Sequence, residues 1–190
     1  MPKSYWLMKS EPTTFSFENL KEIPNQATFW EGVRNYQARN FLRDDIKVGD
    51  GVLFYHSNAK PTAVMGAAKV IREGYPDPTQ FDPKSKYYDP DSPRNNPRWY
   101  RVDIQFDKEF KNPVTLEEMR KDPSLKDMML LKKGTRLSVL PVSTEEWKTL
   151  LRMGEDSYRG RSDSHGVKRP PNKDQGEKKE DDSQNVARRG

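Results

Sequence analysis

Two runs concentrate side chains able to bind a ligand: Trp30-Glu31-Gly32-Val33-Arg34-Asn35-Tyr36-Gln37-Ala38-Arg39-Asn40 and, further on, Tyr55-His56-Ser57-Asn58. Both mix aromatic rings, amides and cations. Neither has metal-ligand spacing or the residues of a nucleophilic triad. Flat rings beside amides and arginines suit a flat, hydrogen-bonding ligand carried on an anion, which describes a nucleobase on its phosphate backbone. Trp30 offers a stacking platform, Asn35 a bidentate base-edge reader, and Arg34 and Arg39 phosphate contacts. The same residues also suit a plain core, with Trp30 buried and the arginines paired to Asp44 and Asp45. His56, the one histidine before the tail, fits a general base, a donor to a ligand or a structural role, and no nucleophile accompanies it.

Other segments add candidates. Lys9-Ser10-Glu11-Pro12 places a hydroxyl and a carboxylate at a strand end, where Glu11 accepts from a base amino group or Pro12 merely stops the strand. Tyr75-Pro76-Asp77, Lys86-Tyr87-Tyr88-Asp89-Pro90 and Trp99 surround a Pro-, Asp- and Tyr-rich loop between Gly74 and Pro97. Aromatic residues there, Tyr88 and Trp99 among them, either close over a stacked base or pack the loop onto the body.

Composition bounds the function. The chain has 190 residues, no cysteine and a formal net charge of +5. Without cysteine, disulfides, thiolate catalysis, zinc–thiolate sites and iron–sulfur clusters are excluded. The basic bias permits a polyanionic partner without requiring one. No apolar run reaches the ~20 residues of a membrane span, and the start lacks a signal-peptide pattern. The expectation is a soluble, monomeric protein that is not secreted and uses no metal or cofactor.

The elements that must position these residues follow from pattern. Tyr5–Met8, Val52–Tyr55, Ala63–Arg72, Arg98–Phe106 and Arg136–Leu140 read as strands, with small residues Gly66, Ala67 and Ala68 marking a bulge or close approach. Short helices are expected after Ser16, over Asn35–Leu42, over Thr115–Arg120 and after Ser143, where Glu146 completes a capping box. With no βαβ rhythm and no repeats, this is an α+β body with a curved or barrel-like sheet. Residues 154–190 are charged and poor in core-forming side chains, and read as a disordered tail.

The runs Tyr5-Trp6-Leu7-Met8-Lys9-Ser10-Glu11-Pro12, Trp30 to Asn40, Phe54-Tyr55-His56-Ser57-Asn58, Tyr75-Pro76-Asp77, Tyr88-Asp89-Pro90 and Arg136-Leu137-Ser138-Val139-Leu140-Pro141-Val142 together resemble the EVE domain. The resemblance covers residues 1–153 and leaves 154–190 outside. It implies a PUA-like fold, a curved, mostly antiparallel β-barrel with peripheral short helices, related to YTH and ASCH domains. It implies a non-enzymatic reader of a flipped modified base, 5-methylcytosine or 5-hydroxymethylcytosine in DNA being favoured. An RNA-modification reader, as YTH domains are for N6-methyladenosine, or an ASCH-like enzyme using His56 and Glu11 are the alternatives. Carried over position by position, the base pocket is Ser10, Glu11, Trp30, Val33, Arg34, Asn35, Tyr36, His56, Ser57, Asn58, Tyr75 and Asp77; the loop aromatics Tyr88 and Trp99 are added on residue chemistry, which also puts Arg34 and Arg39 on phosphates. Such a protein is expected in the cytoplasm of a bacterium or the nucleus of a eukaryote.

Overall fold

The computed structural model describes residues 2–155. The reading of 154–190 as a disordered tail therefore lies almost wholly outside the described residues. Six strands form one mixed sheet: β1 (Tyr5–Ser10), β2 (Ala27–Trp30), β3 (Gly51–His56), β4 (Ala63–Pro76), β5 (Tyr100–Thr115) and β6 (Val139–Val142). Their order is β2-β5-β4-β3-β1-β6. Four helices, α1 (Phe17–Glu22), α2 (Tyr36–Asn40), α3 (Leu116–Lys121) and α4 (Thr144–Glu155), lie among them.

The expected barrel is corrected to an open sheet whose edges are β2 and β6. All pairings are antiparallel except β1 with β3, which run parallel with Ser10 opposite His56. That one pair brings Lys9-Ser10-Glu11 and Ser57-Asn58 out of the sheet side by side at the same end. The carboxyl ends of neighbouring parallel strands are a frequent ligand-binding position. The strand at Ala27–Trp30 is not among the sequence-based expectations: four residues are too few to show alternation.

The core gathers around Phe54, whose ring meets Phe17 at 5.2 Å, Trp30 edge-on at 5.4 Å and His56 at 5.8 Å. α1 is held by a capping box between Ser16 and Asn19, and α3 by one between Thr115 and Glu118. Ser143 and Glu146 exchange the capping-box bonds expected for α4. α4 buries Trp147 and Leu150, and Trp147 stacks on Tyr5 at 4.5 Å. Buried Asp50 anchors the entry to β3 by accepting from Trp6 Nε1 and from the amides of Ser4 and Lys47.

The small residues of β4 do mark a close approach. The β4–β5 register shifts between Val64 and Gly66 and again between Ala67 and Ala68. A side chain at Gly66 would strike the Lys108 carbonyl and the Phe17 ring. Overpacking of this kind costs about 1–3 kcal/mol. Gly66→Ala is accordingly expected to lower unfolding stability by that amount in a urea titration; an unchanged midpoint would contradict the packing of α1 on β4.

Candidate nucleic-acid interface

The ends of β1, β2 and β3 frame a cleft of about 580 Å³. Its walls are Lys9, Ser10 and Glu11 from β1, Thr28 to Val33 from β2 and the following turn, Ser57 after β3, Lys86 and Tyr87 from the long loop, and Arg136 to Ser138 before β6. Of the expected pocket residues, Ser10, Glu11, Trp30, Val33 and Ser57 line it. Sequence reasoning missed Lys9, Phe29, Lys86, Tyr87 and Arg136. Tyr87 rather than Tyr88 faces the cleft, and only the loop's folded path decides between adjacent tyrosines.

The remaining expected residues build and brace the cleft. Asp77, with no exposed surface, accepts on one oxygen from the amide and hydroxyl of Thr79. Its other oxygen accepts from the Gly32 amide at 3.0 Å and from Arg34 Nη1 at 2.9 Å. Burial pushes the Asp77 carboxyl up, but hydrogen bonds from Thr79, Gly32 and Arg34 outweigh it and leave the group below the usual carboxylate range.

The expectation that Arg34 holds a phosphate is corrected by its geometry. Its Nε and Nη2 donate to the Tyr87 carbonyl, Nη2 also to Thr79, and Nη1 to Val33 and Asp77. Every guanidinium nitrogen is engaged within the protein. The guanidinium also lies 5.4 Å from the ring centres of both Tyr87 and Trp99. Trp99 in turn meets Tyr36 at 5.1 Å, and Arg39 caps Tyr36 at 5.1 Å. These alternating rings and cations run from the first cleft to a second, of about 270 Å³, lined by Tyr36, Arg39, Arg43, Pro93, Asn96, Pro97 and Arg98.

Asn35 spends its carbonyl oxygen capping α2, accepting from the amides of Gln37 and Ala38. His56 Nε2 accepts the Phe17 amide at 3.0 Å, which requires a neutral ring, and burial lowers its pKa in the same sense. The ring therefore faces α1 and not the cleft, which corrects the expectation of a donor to the ligand. Asn58 donates to Glu11 at 2.6 Å, Tyr75 to Asp103, and buried Trp99 to Asp89. Tyr88 is exposed and outside the cleft. Trp30 is both readings at once: buried at 7% exposure, it belongs to the core and also forms cleft wall.

The cleft is electropositive. Among the described residues, Lys9, Lys86 and Arg136 form no ion pair, whereas Glu31 is paired with Arg101 and Glu11 is bound by Asn58. Burial lowers the Lys9 pKa. Burial, followed by the nearby Asp77 charge, raises that of Glu31. No helix among the described residues is long and apolar enough to cross a membrane, and no group of three or more His, Asp or Glu among them could hold a metal.

Because the folded Asp77 pKa lies below its unfolded value of about 4, its contribution is present above that pH and lost as pH falls through the folded value. Asp77→Asn is expected to destabilise the protein by about 2 kcal/mol at neutral pH. The gap to wild type should narrow in acid, as followed by denaturant titration from pH 7 to pH 2. A gap that does not change with pH would contradict the ionised network.

Comparison with known proteins agrees with this architecture. The EVE domain family pattern matches residues 4–153. Thymocyte nuclear protein 1 of Danio rerio is 45% identical over 165 residues, spanning 78% of this chain and 71% of the relative. The Homo sapiens protein of that name is 43% identical over 169 residues, spanning 80% and 74%. The crystal structure of human THYN1 protein in complex with 5-methylcytosine containing DNA superposes with a TM-score of 0.76 at 42% identity, covering 82% of this chain and 100% of that one. A Pseudomonas syringae structure superposes with a TM-score of 0.75 at 42% identity, covering 79% and 99%. The chain belongs to the EVE domain family, and its open six-stranded sheet is that family's PUA-like fold.

Proposed function

We propose that the larger cleft captures a modified cytosine turned out of DNA, and that the protein is a reader rather than an enzyme. The observation that carries this reading is the make-up of one cleft, which brings the Glu11 carboxylate, the Ser57 hydroxyl and the unpaired Lys9 ammonium together with the aromatic residues Trp30 and Tyr87. Its volume of about 580 Å³ falls within the range of roughly 300–1,000 Å³ of small-molecule sites. Cytosine presents an amino donor and ring acceptors on its pairing edge. Glu11 matches the amino group, and Lys9 and Ser57 match the acceptors. A homologue crystallised with 5-methylcytosine containing DNA supports DNA as the partner over RNA. The commitment of His56 to the Phe17 amide argues against a catalytic pairing of His56 with Glu11. For a eukaryotic chain, a nuclear location fits the nucleic-acid partner.

Phosphates are assigned to Lys86 and Arg136 at the cleft and to Arg39 in the second cleft, in place of Arg34. Arg39 Nη1 donates to the Arg98 carbonyl and Nε to Asn40, with Nη2 unbonded among the described residues. Neutralising phosphates releases counterions, so affinity falls with salt in proportion to the contacts made.

Two outcomes test this. Glu11 is exposed, so Glu11→Gln should keep the fold while weakening binding to a 5-methylcytosine oligonucleotide by about 1–2 kcal/mol, roughly tenfold. Fluorescence anisotropy reads this directly, and unchanged affinity would remove Glu11 as the base reader. Arg39→Ala should weaken modified and unmodified oligonucleotides alike and lower the slope of log affinity against log salt by about 1. A slope equal to wild type would take the second cleft off the phosphate path.

A further inference from the structure

Phe29 is the one large apolar side chain at the mouth of the larger cleft that the fold leaves 49% exposed. It lies on β2, an edge of the sheet, next to Trp30. Neighbouring residues of a strand point to opposite faces, so Trp30 turns into the core and cleft wall while Phe29 turns outward. Edge strands ordinarily carry charge rather than an exposed ring.

The ring is braced. The Arg101 guanidinium stacks 4.3 Å from the Phe29 ring centre and 4.9 Å from that of Tyr75, and Arg72 covers Tyr75 at 3.7 Å. Glu31 pairs with Arg101 Nη1 at 3.2 Å. Arg101 Nε is buried with no hydrogen-bond partner among the described residues, so packing between rings, rather than a hydrogen bond, fixes that end of the guanidinium. A flexible surface phenylalanine would have none of this support.

We propose that Phe29 is a wedge that enters the DNA duplex and fills the gap left by the captured base. The inference rests on the base-capture reading above. Removing a base from the stack leaves its neighbours without a stacking partner, and proteins that open or kink duplexes insert apolar side chains at such steps. Here the candidate wedge and the cleft wall are consecutive residues of one rigid strand. The unpaired cations Lys86 and Arg136 line the same cleft, where the backbone of the displaced nucleotide would pass. A single-stranded ligand has no gap to fill, so the wedge acts on duplex alone.

The test uses the full chain with a duplex carrying one central 5-methylcytosine, with the modified strand alone, and with unmodified versions of both. Phe29→Ala is expected to weaken duplex binding at least about tenfold more than it weakens single-strand binding, while Phe29→Trp retains duplex binding. Thermal melting of each variant confirms that the half-exposed position leaves the fold intact. Equal loss on both forms, or no loss on duplex, overturns the wedge. If wild type fails to discriminate 5-methylcytosine from cytosine on the single strand, the base-capture reading falls, and the wedge with it.

Discussion

The buried carboxylate of Asp77 ties together stretches of chain that sequence alone keeps apart. It takes the Gly32 amide beyond β2, the Arg34 guanidinium and the start of its own loop at Thr79. Arg34 then carries the connection to the Tyr87 carbonyl, so the loop is held against the cleft. Gly32 is part of the same constraint: it sits at φ 77°, and a side chain there would collide with the Tyr87 ring. Charge-assisted hydrogen bonds of this kind are about twice as strong as neutral ones, and breaking one partner of a buried pair strands the other. Tyr87 as a cleft wall therefore depends on a carboxylate that never touches the cleft.

The second organising feature is the parallel pairing of β1 with β3 in an otherwise antiparallel sheet. It delivers Lys9, Ser10, Glu11 and Ser57 to one end of the sheet, Lys9 and Ser10 in the last paired positions of β1 and Glu11 and Ser57 just beyond the pairing. The Ser57 amide still donates to the Ser10 carbonyl, which locks the two exits together. A rigid floor of this sort suits recognition, because little ordering entropy remains to be lost on binding. The extra apolar burial of one methyl group is worth only about 0.8 kcal/mol. Discrimination of a modified from a plain cytosine is correspondingly modest, with most affinity coming from shape, hydrogen bonds and phosphates.

Much of the fold was legible because it is written locally. The capping residues Ser16, Thr115 and Ser143 and the alternation around Val102 and Ile104 declare their elements without tertiary help. The open sheet edge, the short β2 and the parallel β1–β3 pair were not legible, since they depend on which distant strand each segment meets. The same divide runs through the site. Ser10, Glu11, Trp30 and Ser57 could be picked out by residue type at strand ends. Arg34, Asn35, His56 and Asp77 have the right chemistry for a ligand, yet Arg34 and Asp77 are engaged throughout by the protein, and the Asn35 oxygen and His56 Nε2 accept from backbone amides. No single sequence distinguishes a polar group that braces a pocket from one that lines it. Lys9 and Tyr87 escaped notice for the converse reason: nothing in a lysine or one of two adjacent tyrosines signals that its surroundings leave it facing a cavity.

The central claim is that a modified base enters the cleft at the ends of β1, β2 and β3. Backbone amide chemical-shift mapping of the isotopically labelled protein, titrated with a short single-stranded oligonucleotide bearing one 5-methylcytosine, tests it most directly. The expected result is a cluster of the largest shifts at residues 9–11, 29–33, 57 and 86–87, shrinking when the base is unmodified. Shifts confined to Tyr36, Arg39 and Arg98 in the second cleft, or unaltered by the modification, would contradict it.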